Sequence, residues 1–449
     1  MKRAPAAAAA LLLAALPAAA GCEGSGRDPG TVKVVYQDFG AFRAADAIMR
    51  TVKEEFEAAN EGVTVELHPV EAPAEDYQTQ VNLMNRSASE APDILYEDSF
   101  TINQDVEAGY LHPLDEFWES WEDADQYSEQ ADAAVTARDG SRYGVMLGTD
   151  TRGLWYNRTL LEQAGVEVPW EPEDWDAVLD AARAVQEEFG DEVTAFNLFG
   201  GTPAGEVSSM QGFQMLLTGT PDRLYDEEAG MWVAGSQGFT DALEFYDTVY
   251  SEGLSLDTRD MLNASAPTLN LEERMPQGEM AISLDGSWAT QTWIEGGASP
   301  WPEWEEEMAF TAMPTQDGSA PGATSLSGGW TLAMGAQTAD PGLAWEVMAM
   351  ALNKENATEF AVRGAQIPVR ADVAESEEYQ ERSPIVPEAD ELVEVTHFRP
   401  AYGEYPRVSQ AVQQATESVL LGDATPEEAA AAYDRELEEI VGADQVTGG

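Results

Sequence analysis

An early alternation of strand and helix constrains the fold more than any other feature of this sequence. Residues Thr31–Tyr36 form an apolar run with strand character, and Arg43–Ala59 carries apolar residues at helical spacing. Apolar and polar residues then alternate through Val63, Val65 and Leu67, which is typical of a second strand. Strands joined by a helix of this length pair in parallel. The start of the chain therefore predicts an α/β architecture.

Later helices have recognisable start signals. Trp175 begins a run of apolar residues at helical spacing directly after Asp174. The pair Asp340-Pro341 is typical of the residue before a helix followed by its first turn. Residues Thr425–Glu428 have the pattern of a capping box with proline at the first helical position. Strands alternating with such helices predict α/β layers with mainly parallel sheets, and the sequence has no internal repeat.

The N-terminus has the pattern of a lipoprotein export signal. Lys2 and Arg3 precede an apolar run, the small residues 18–21 follow it, and Cys22 comes next. We expect residues 1–21 to be a signal peptide, Cys22 to be the lipidation site and 22–30 to be a tether to the outer face of the cell membrane. Ala19 departs from the leucine that bacterial signals usually have at this position. The alternative is a chance cysteine behind an ordinary secretory signal.

Because Cys22 is the only cysteine, no intramolecular disulfide can form and the fold depends on burial. The chain has 83 acidic and 23 basic residues, a net charge of −60, which becomes −62 once Lys2 and Arg3 are removed. Only four of the basic residues are lysine. Such self-repulsion is tolerable when concentrated salt screens it, so the composition predicts a halophilic, extracellular habitat. Nucleic acid is an improbable partner for so acidic a chain.

The sequence offers little that indicates catalysis. The three histidines, His68, His112 and His397, are scattered, so we expect no metal site. A cysteine nucleophile is excluded if Cys22 is acylated, and neither a phosphate-binding glycine loop nor a nucleophile elbow is present. We therefore predict no cofactor and no enzyme activity. A glycoside hydrolase needs only two carboxylates, and among so many acids the sequence can neither identify nor dismiss such a pair.

Several short segments are each weak signals alone, but their order and spacing along the chain are specific. The segments are PDILYEDS at 92–99, AGYLHPLDEF at 108–117, YGVMLGTDTRGLWYNRTLLEQAG at 143–165, QGEMAISLDGSW at 277–288, AFTAMPT at 309–315, SGGW at 327–330, IPVR at 367–370 and LLGDATPEEA at 420–429. This succession, from about Thr31 to Gly442, resembles the solute-binding proteins of ABC importers, specifically the sugar-binding family that includes maltose-binding proteins. A helix-start element of that family is altered here at 168–175.

The resemblance implies a two-lobed periplasmic-binding-protein fold whose lobes are joined by a hinge of several strands. We expect an N-terminal lobe of 31–145 plus 313–372, and a C-terminal lobe of 146–312 plus 373–449. It also implies a monomer that closes around its ligand and then docks onto the transmembrane permease subunits of an ABC transporter.

Binding a sugar requires aromatic rings for its apolar faces and planar charged groups for its hydroxyls. In α/β sheets such groups collect beyond the carboxyl ends of strands. The predicted ligand-binding residues are Asp38, Phe39, Glu97, Asp98, Asp150, Arg152, Trp288, Trp330 and Tyr402.

Each assignment has an alternative. Trp288 and Trp330 could pack in a core, Asp150 and Arg152 could only pair with each other, and Tyr405 is the likeliest substitute for Tyr402. We assign four other tryptophans to the core, namely Trp155, Trp175, Trp232 and Trp345.

The function prediction is capture of a mono- or oligosaccharide and its delivery to a permease. One alternative keeps the fold but changes the ligand to a polyol, an oligopeptide or another polar solute. Another is an exported glycoside hydrolase.

Overall fold

The computed structural model describes residue 28 and residues 30–449. The predicted signal peptide, Cys22 and nearly all of the predicted tether lie outside the described residues. Within the described part of the chain, no helix combines the length and the apolar character needed to cross a bilayer.

The described chain forms four sheets. In chain order the strands are β1 Thr31–Gln37, β2 Thr64–Val70, β3 Ile94–Asp98, β4 Gly144–Thr149, β5 Arg152–Asn157, β6 Thr194–Asn197, β7 Tyr225–Asp226, β8 Met231–Ala234, β9 Met280–Gly286, β10 Met308–Thr311, β11 Met313–Pro314, β12 Ala323–Ser327, β13 Gly329–Met334, β14 Thr396–Phe398 and β15 Val446–Gly448. The helices of ten residues or more are Ala44–Ala59, Ala74–Asn85, Trp175–Phe189, Gln237–Ser251, Pro341–Ala351, Lys354–Arg363, Tyr405–Leu420 and Pro426–Val441. Shorter α-helices are Ile102–Glu107, Asp115–Trp118, Glu129–Val135, Arg158–Gln163, Met215–Leu217, Thr258–Met261, Ala266–Leu269, Thr290–Trp293, Trp304–Glu307, Ala371–Ala374, Glu377–Gln380 and Val386–Glu391, and two π-helices are Ser208–Gln214 and Asn270–Arg274.

The first lobe is built on a five-stranded sheet with the order β2-β1-β3-β13-β4. β1 pairs in parallel with β2 and β3, and β13 runs antiparallel between β3 and β4. The helix Ala44–Ala59 covers this sheet because Ile48, Val52 and Phe56 lie on one helical face and are buried in its core. The carboxyl ends of β1, β3 and β4 and the start of β13 therefore meet at one edge. The predicted strand–helix–strand unit is confirmed.

The second lobe is built on a four-stranded sheet with the order β10-β5-β9-β6. Its core takes apolar residues from this sheet and from the helices Trp175–Phe189, Gln237–Ser251, Tyr405–Leu420 and Pro426–Val441. A mixed α/β fold with two lobes is thus confirmed, but the prediction of mainly parallel sheets is wrong, because β5 and β13 each run antiparallel to both of their neighbours.

The chain crosses between the lobes at different points from those predicted. β4 ends at Thr149 in the first sheet and β5 begins at Arg152 in the second, so the predicted boundary after 145 falls inside β4. Met313 and Leu326 pack in the core of the second lobe, so the return to the first lobe comes at Gly328 and not at 313.

The last predicted crossing, after 372, also shifts. Val373 and Tyr379 pack on the first-lobe helix Lys354–Arg363, whereas Ile385 and Leu392 pack with the second-lobe core around Trp155. Val386 packs with Val373 and Tyr379 as well, so the chain leaves the first lobe through a segment, 379–392, that contacts both lobes. The lobe to which a segment belongs depends on the core that its side chains enter. The strand and helix patterns of the sequence do not indicate which core that is.

The predicted helix starts are confirmed. Asp174 accepts the N–H of Ala177 at 2.8 Å, and Asp340 accepts the N–H of Leu343 at 3.0 Å. Thr425 forms the predicted capping box with Glu428. The four tryptophans assigned to the core are buried, as predicted.

Candidate functional site

Polar residues follow three strands at the sheet edge that faces the second lobe. Asp38 follows β1, Asp98 ends β3 and Asp150 follows β4, while Gly328 precedes β13. These strands are neighbours, and their carboxyl ends lie together, so the three carboxylates lie along one edge.

The innermost part of the site is the pair Asp150 and Arg152, at the first crossing between the lobes. The Arg152 Nη1 lies 2.5 Å from the Asp150 Oδ1, and the two side chains are only 6% and 9% exposed. Asp150 also accepts the N–H of Gly328 at 3.0 Å, and Arg152 donates to the carbonyl of Leu326 at 2.8 Å. The structure thus contains the ion pair between Asp150 and Arg152 that was the alternative to ligand binding. Because both groups are also tied to the second crossing, at Gly328, the pair joins two hinge segments.

Trp288 lies beside this pair. It follows β9 in a short turn, and the Arg152 guanidinium carbon lies 4.6 Å from the centre of its ring. The ring is 8% exposed and packs over Gly286, where a Cβ atom would lie 2.0 Å from the indole. Among the described residues, the hydrophobic clusters do not include Trp288. Trp288 is therefore buried against a charged group and not within a hydrophobic interior.

Arg399 is the main site residue that the sequence prediction missed. Its side chain is 4% exposed, and its Nη2 lies 2.7 Å from Asp98 of the first lobe. Its Nη1 lies 3.5 Å from Glu206 of the second lobe, and its guanidinium lies 3.9 Å from the centre of the Phe100 ring. Burial alone would lower the pKa of Arg399, but the charges of Asp98 and Glu206 raise it, so the group stays charged. Arg399 therefore links the lobes by ion pairs.

Glu206 is the second residue that was missed. It accepts hydrogen bonds from the Tyr405 hydroxyl at 2.5 Å and the Ser409 hydroxyl at 2.6 Å. Burial raises the pKa of Glu206, and the Arg399 charge opposes this shift. Its position just before the π-helix Ser208–Gln214 carries no sequence pattern that could have identified it. Tyr405, named as a substitute for Tyr402, therefore lies beside Glu206 and Arg399.

Trp330 and Glu97, both predicted ligand-binding residues, differ in their surroundings: Trp330 is part-buried on an aromatic ring and Glu97 is fully buried. Trp330 is part-buried and stacks on Tyr96, with ring centres 4.4 Å apart. Glu97 has no exposed surface, and its carboxylate lies against the buried Asp105. Burial and the Asp105 charge raise the pKa of Glu97. Side chains alternate along a strand, so Glu97 points away from the site edge that Asp98 lines. We therefore remove Glu97 from the candidate site.

Asp38 and Phe39 lie on the turn after β1, at the same sheet edge as Asp98. Phe39 is 38% exposed. Burial and the neighbouring Asp46 charge raise the pKa of Asp38. Neither residue touches the Asp150–Arg152 pair through a hydrogen bond or ion pair that the structure shows, so both belong to the outer part of the edge.

Tyr402 lies apart from the Asp150–Arg152 pair and from the carboxylates that Arg399 contacts. Its hydroxyl donates to Glu227 at 3.1 Å, and the guanidinium of Arg138 lies 3.9 Å from its ring centre. The ring borders a cavity of about 460 Å³ between the lobes, which Phe398 and Arg399 also line, so this cavity adjoins the site at Arg399.

The cluster combines Asp98, Asp150 and Glu206 with Arg152 and Arg399, next to an indole. Carboxylates and guanidinium groups can each hydrogen-bond two adjacent hydroxyls, and an indole can cover an apolar ring face. Within the described residues, no group of three or more His, Cys, Asp or Glu side chains is placed to hold a metal ion.

A sequence model of the family described as bacterial extracellular solute-binding protein matches residues 42–358 of this chain. Among solved structures, an ABC-transporter solute-binding protein of Thermotoga lettingae, bound with α-D-tagatose, superposes with a TM-score of 0.76 at 22% identity, covering 91% of this chain and 99% of that one. The GacH receptor of Streptomyces glaucescens, solved unliganded and with acarbose, gives 0.77 at 22% identity, covering 92% and 98%. UgpB of Mycobacterium tuberculosis, in complex with glycerophosphocholine, gives 0.75 at 17% identity, covering 90% and 98%.

Proposed function

This chain belongs to the family of bacterial extracellular solute-binding proteins, and we propose that it captures a sugar by closing its two lobes and delivers it to an ABC importer. Ligand binding shifts an equilibrium between open and closed lobes, and no bond of the ligand is broken. The ligand is a mono- or oligosaccharide.

The observation that carries the sugar assignment is the combination of Asp150, Arg152 and Trp288 at the hinge. The Asp150–Arg152 ion pair offers planar hydrogen-bonding groups, and the Trp288 indole beside it offers an aromatic face. Asp98 and Arg399 add a second such pair at the same edge. The cluster carries three carboxylates and two guanidinium groups, so its net negative charge disfavours an anionic sugar.

We propose that Cys22 carries the lipid anchor and that the body acts outside the cell as a monomer, next to its permease. The export pattern before Cys22 supports this placement. The acidic, lysine-poor composition supports a salty habitat.

The test is titration of the purified mature protein with a broad panel of sugars in molar salt. Tryptophan emission and the thermal midpoint are recorded together, because Trp288 and Trp330 both lie at the proposed site. Binding of at least one neutral saccharide is expected, with a raised midpoint. Arg152→Ala is expected to weaken that binding strongly, and the exposed Arg183→Ala serves as the matched control. No response across the whole panel would overturn the sugar assignment.

A second candidate keeps the fold and changes the ligand to a polyol or another polar solute. The similarity to UgpB, whose structure holds glycerophosphocholine, favours testing this candidate. Polyols, glycerophosphocholine and short peptides therefore belong in the same titration. Analysis of each bound saccharide after incubation separates a binder, which returns it intact, from a glycoside hydrolase.

A further inference from the structure

The turn after β1 exposes two phenylalanine rings that the fold does not use. Five large apolar side chains are exposed in the described chain, and two of them, Phe39 at 38% and Phe42 at 39%, lie three residues apart. Among the described residues, neither ring belongs to a hydrophobic cluster of the first lobe. Isolated exposed apolar residues are common, but two rings on one short turn form a small aromatic surface.

This turn is held in one shape by its own backbone. Phe39 and Phe42 form an antiparallel bridge, in which the Phe42 N–H donates to the Phe39 carbonyl at 2.9 Å. The Arg43 Nε donates to the Gly40 carbonyl at 2.9 Å, and Gly40 has φ +58°, a conformation that favours glycine. The Asp38 N–H donates to the Val70 carbonyl of β2 at 3.1 Å. The rings are therefore presented by a pre-formed turn, which lowers the entropic cost of binding against them.

The sheet order places this turn on the outer part of the site edge. β1 lies two strands from β13, which carries Trp330, with β3 and Asp98 between them. Neighbouring strands are about 4.8 Å apart, so the turn is displaced by roughly 10 Å from Trp330 along the edge. This displacement exceeds the span of a single sugar ring. Asp150 follows β4, one strand beyond β13, so a ring bound at the Asp150–Arg152–Trp288 cluster would not reach Phe42, whereas a later ring of a longer ligand would.

We propose that Phe39 and Phe42 form an outer subsite and that the ligand class is an oligosaccharide rather than a monosaccharide. The inference rests on the proposed sugar-binding function and adds chain length to it. In this arrangement the inner ring is held by charged groups near the hinge, and the outer ring packs its apolar face on the phenylalanine turn. Phe42, which the sequence did not indicate, is then a residue that determines specificity for length.

The experiment measures affinity by calorimetry, in molar salt, for malto-, cello- and xylo-oligosaccharides of rising length. Wild type, Phe42→Ala and Leu83→Ala are compared. Leu83 is the control because it is also an exposed large apolar side chain of the first lobe, at 59%, but lies on the helix Ala74–Asn85 and not on the turn. In the series that binds, we expect Phe42→Ala to lose about 5- to 30-fold in affinity for the longer members. We expect it to bind the monosaccharide like wild type, and Leu83→Ala to match wild type at every length.

Different failures have different meanings. If wild type binds saccharides with one affinity at all lengths, or if Phe42→Ala weakens every length equally or none, the outer subsite is overturned and the sugar-binding function stands. If wild type binds no saccharide of any series, the proposed function fails and this inference fails with it. Thermal midpoints of both variants close to wild type are expected, since neither side chain lies in a core.

Discussion

At the scale of single residues, the site depends on arginines held in the interior by carboxylates. Arg152 and Arg399 are both nearly inaccessible, and each has a carboxylate within 2.7 Å. Removing one partner of a buried ion pair leaves an uncompensated charge, whereas an exposed pair contributes little. The two kinds of pair in this chain should therefore respond very differently to substitution.

Arg399→Ala should lower stability strongly. It leaves Asp98 and Glu206 without their counter-ion, and the loss of a buried partner costs about 3–5 kcal/mol. Arg183→Ala is the control, because the Arg183–Glu252 pair is about two-fifths exposed and should cost less than about 1 kcal/mol. Thermal and urea midpoints of both variants measure the difference. Equal shifts for the two variants would contradict the account of Arg399.

Asp285 should make stability depend on pH below neutrality. Burial raises its pKa from 3.8 to about 6, although the Gly286 N–H and the Arg152 charge oppose the shift. A raised acid pKa means that the stability contribution is complete below the unfolded value and is lost as pH rises through about 6. Asp285→Asn should therefore gain stability relative to wild type between pH 4 and pH 7, by on the order of 3 kcal/mol. A difference between the two proteins that does not change with pH would contradict this.

At the scale of elements, helices and strands were predictable where local signals act alone. The β1–helix–β2 unit and the capped helices after Asp174, Asp340 and Thr425 depend on periodicity and capping, which neighbouring residues determine. The site was predictable only in part. Asp150, Arg152 and Trp288 lie together and Asp98 lies at the same sheet edge, but Glu97 shows that one step along a strand reverses the side chain.

Arg399 and Glu206 could not have been found in this way. Arg399 meets Asp98, 301 residues away, and Glu206, 193 residues away. Pairing of β12 with β14 and packing of the helix Tyr405–Leu420 bring these distant positions together. The lobe boundaries failed for a similar reason, because Met313 and Leu326 are assigned by the core that they enter and not by their own pattern.

The turn after β9 gives a prediction at this scale. In Gly286→Ala the new methyl group would lie about 2 Å from three atoms of the Trp288 ring, so the indole must move. We expect ligand affinity to fall by about tenfold or more, since the ring is at the proposed site. Gly342→Ala is the control: its Cβ would meet nothing closer than 3.4 Å, and it lies in a helix. Unchanged affinity in Gly286→Ala would contradict the role of Trp288.

At the scale of the whole molecule, long-range charge repulsion acts on two lobes that are joined by the hinge segments and by ion pairs such as Asp98–Arg399. A net charge of −60 on 449 residues favours expansion at low ionic strength. The screening length falls from about 10 Å at 0.1 M salt to about 3 Å at 1 M, which removes most repulsion between surface carboxylates. Buried pairs such as Asp98–Arg399 are screened much less.

The thermal midpoint should therefore rise steadily with sodium chloride from 0.1 M to the molar range. A chemically neutral osmolyte at matched osmolarity controls for general exclusion effects and should raise the midpoint less. A midpoint that is independent of salt, or that falls, would contradict the view that the acidic surface is adapted to concentrated salt.

The most direct test of sugar capture between the lobes is a crystal structure of the mature protein with its tightest-binding saccharide. The account predicts a sugar that contacts Asp150 at the hinge, Arg152 and Trp288 of the second lobe, and Asp98 or Trp330 of the first lobe. A sugar bound to one lobe only, or seated away from Trp288 and the Asp150–Arg152 pair, would contradict it.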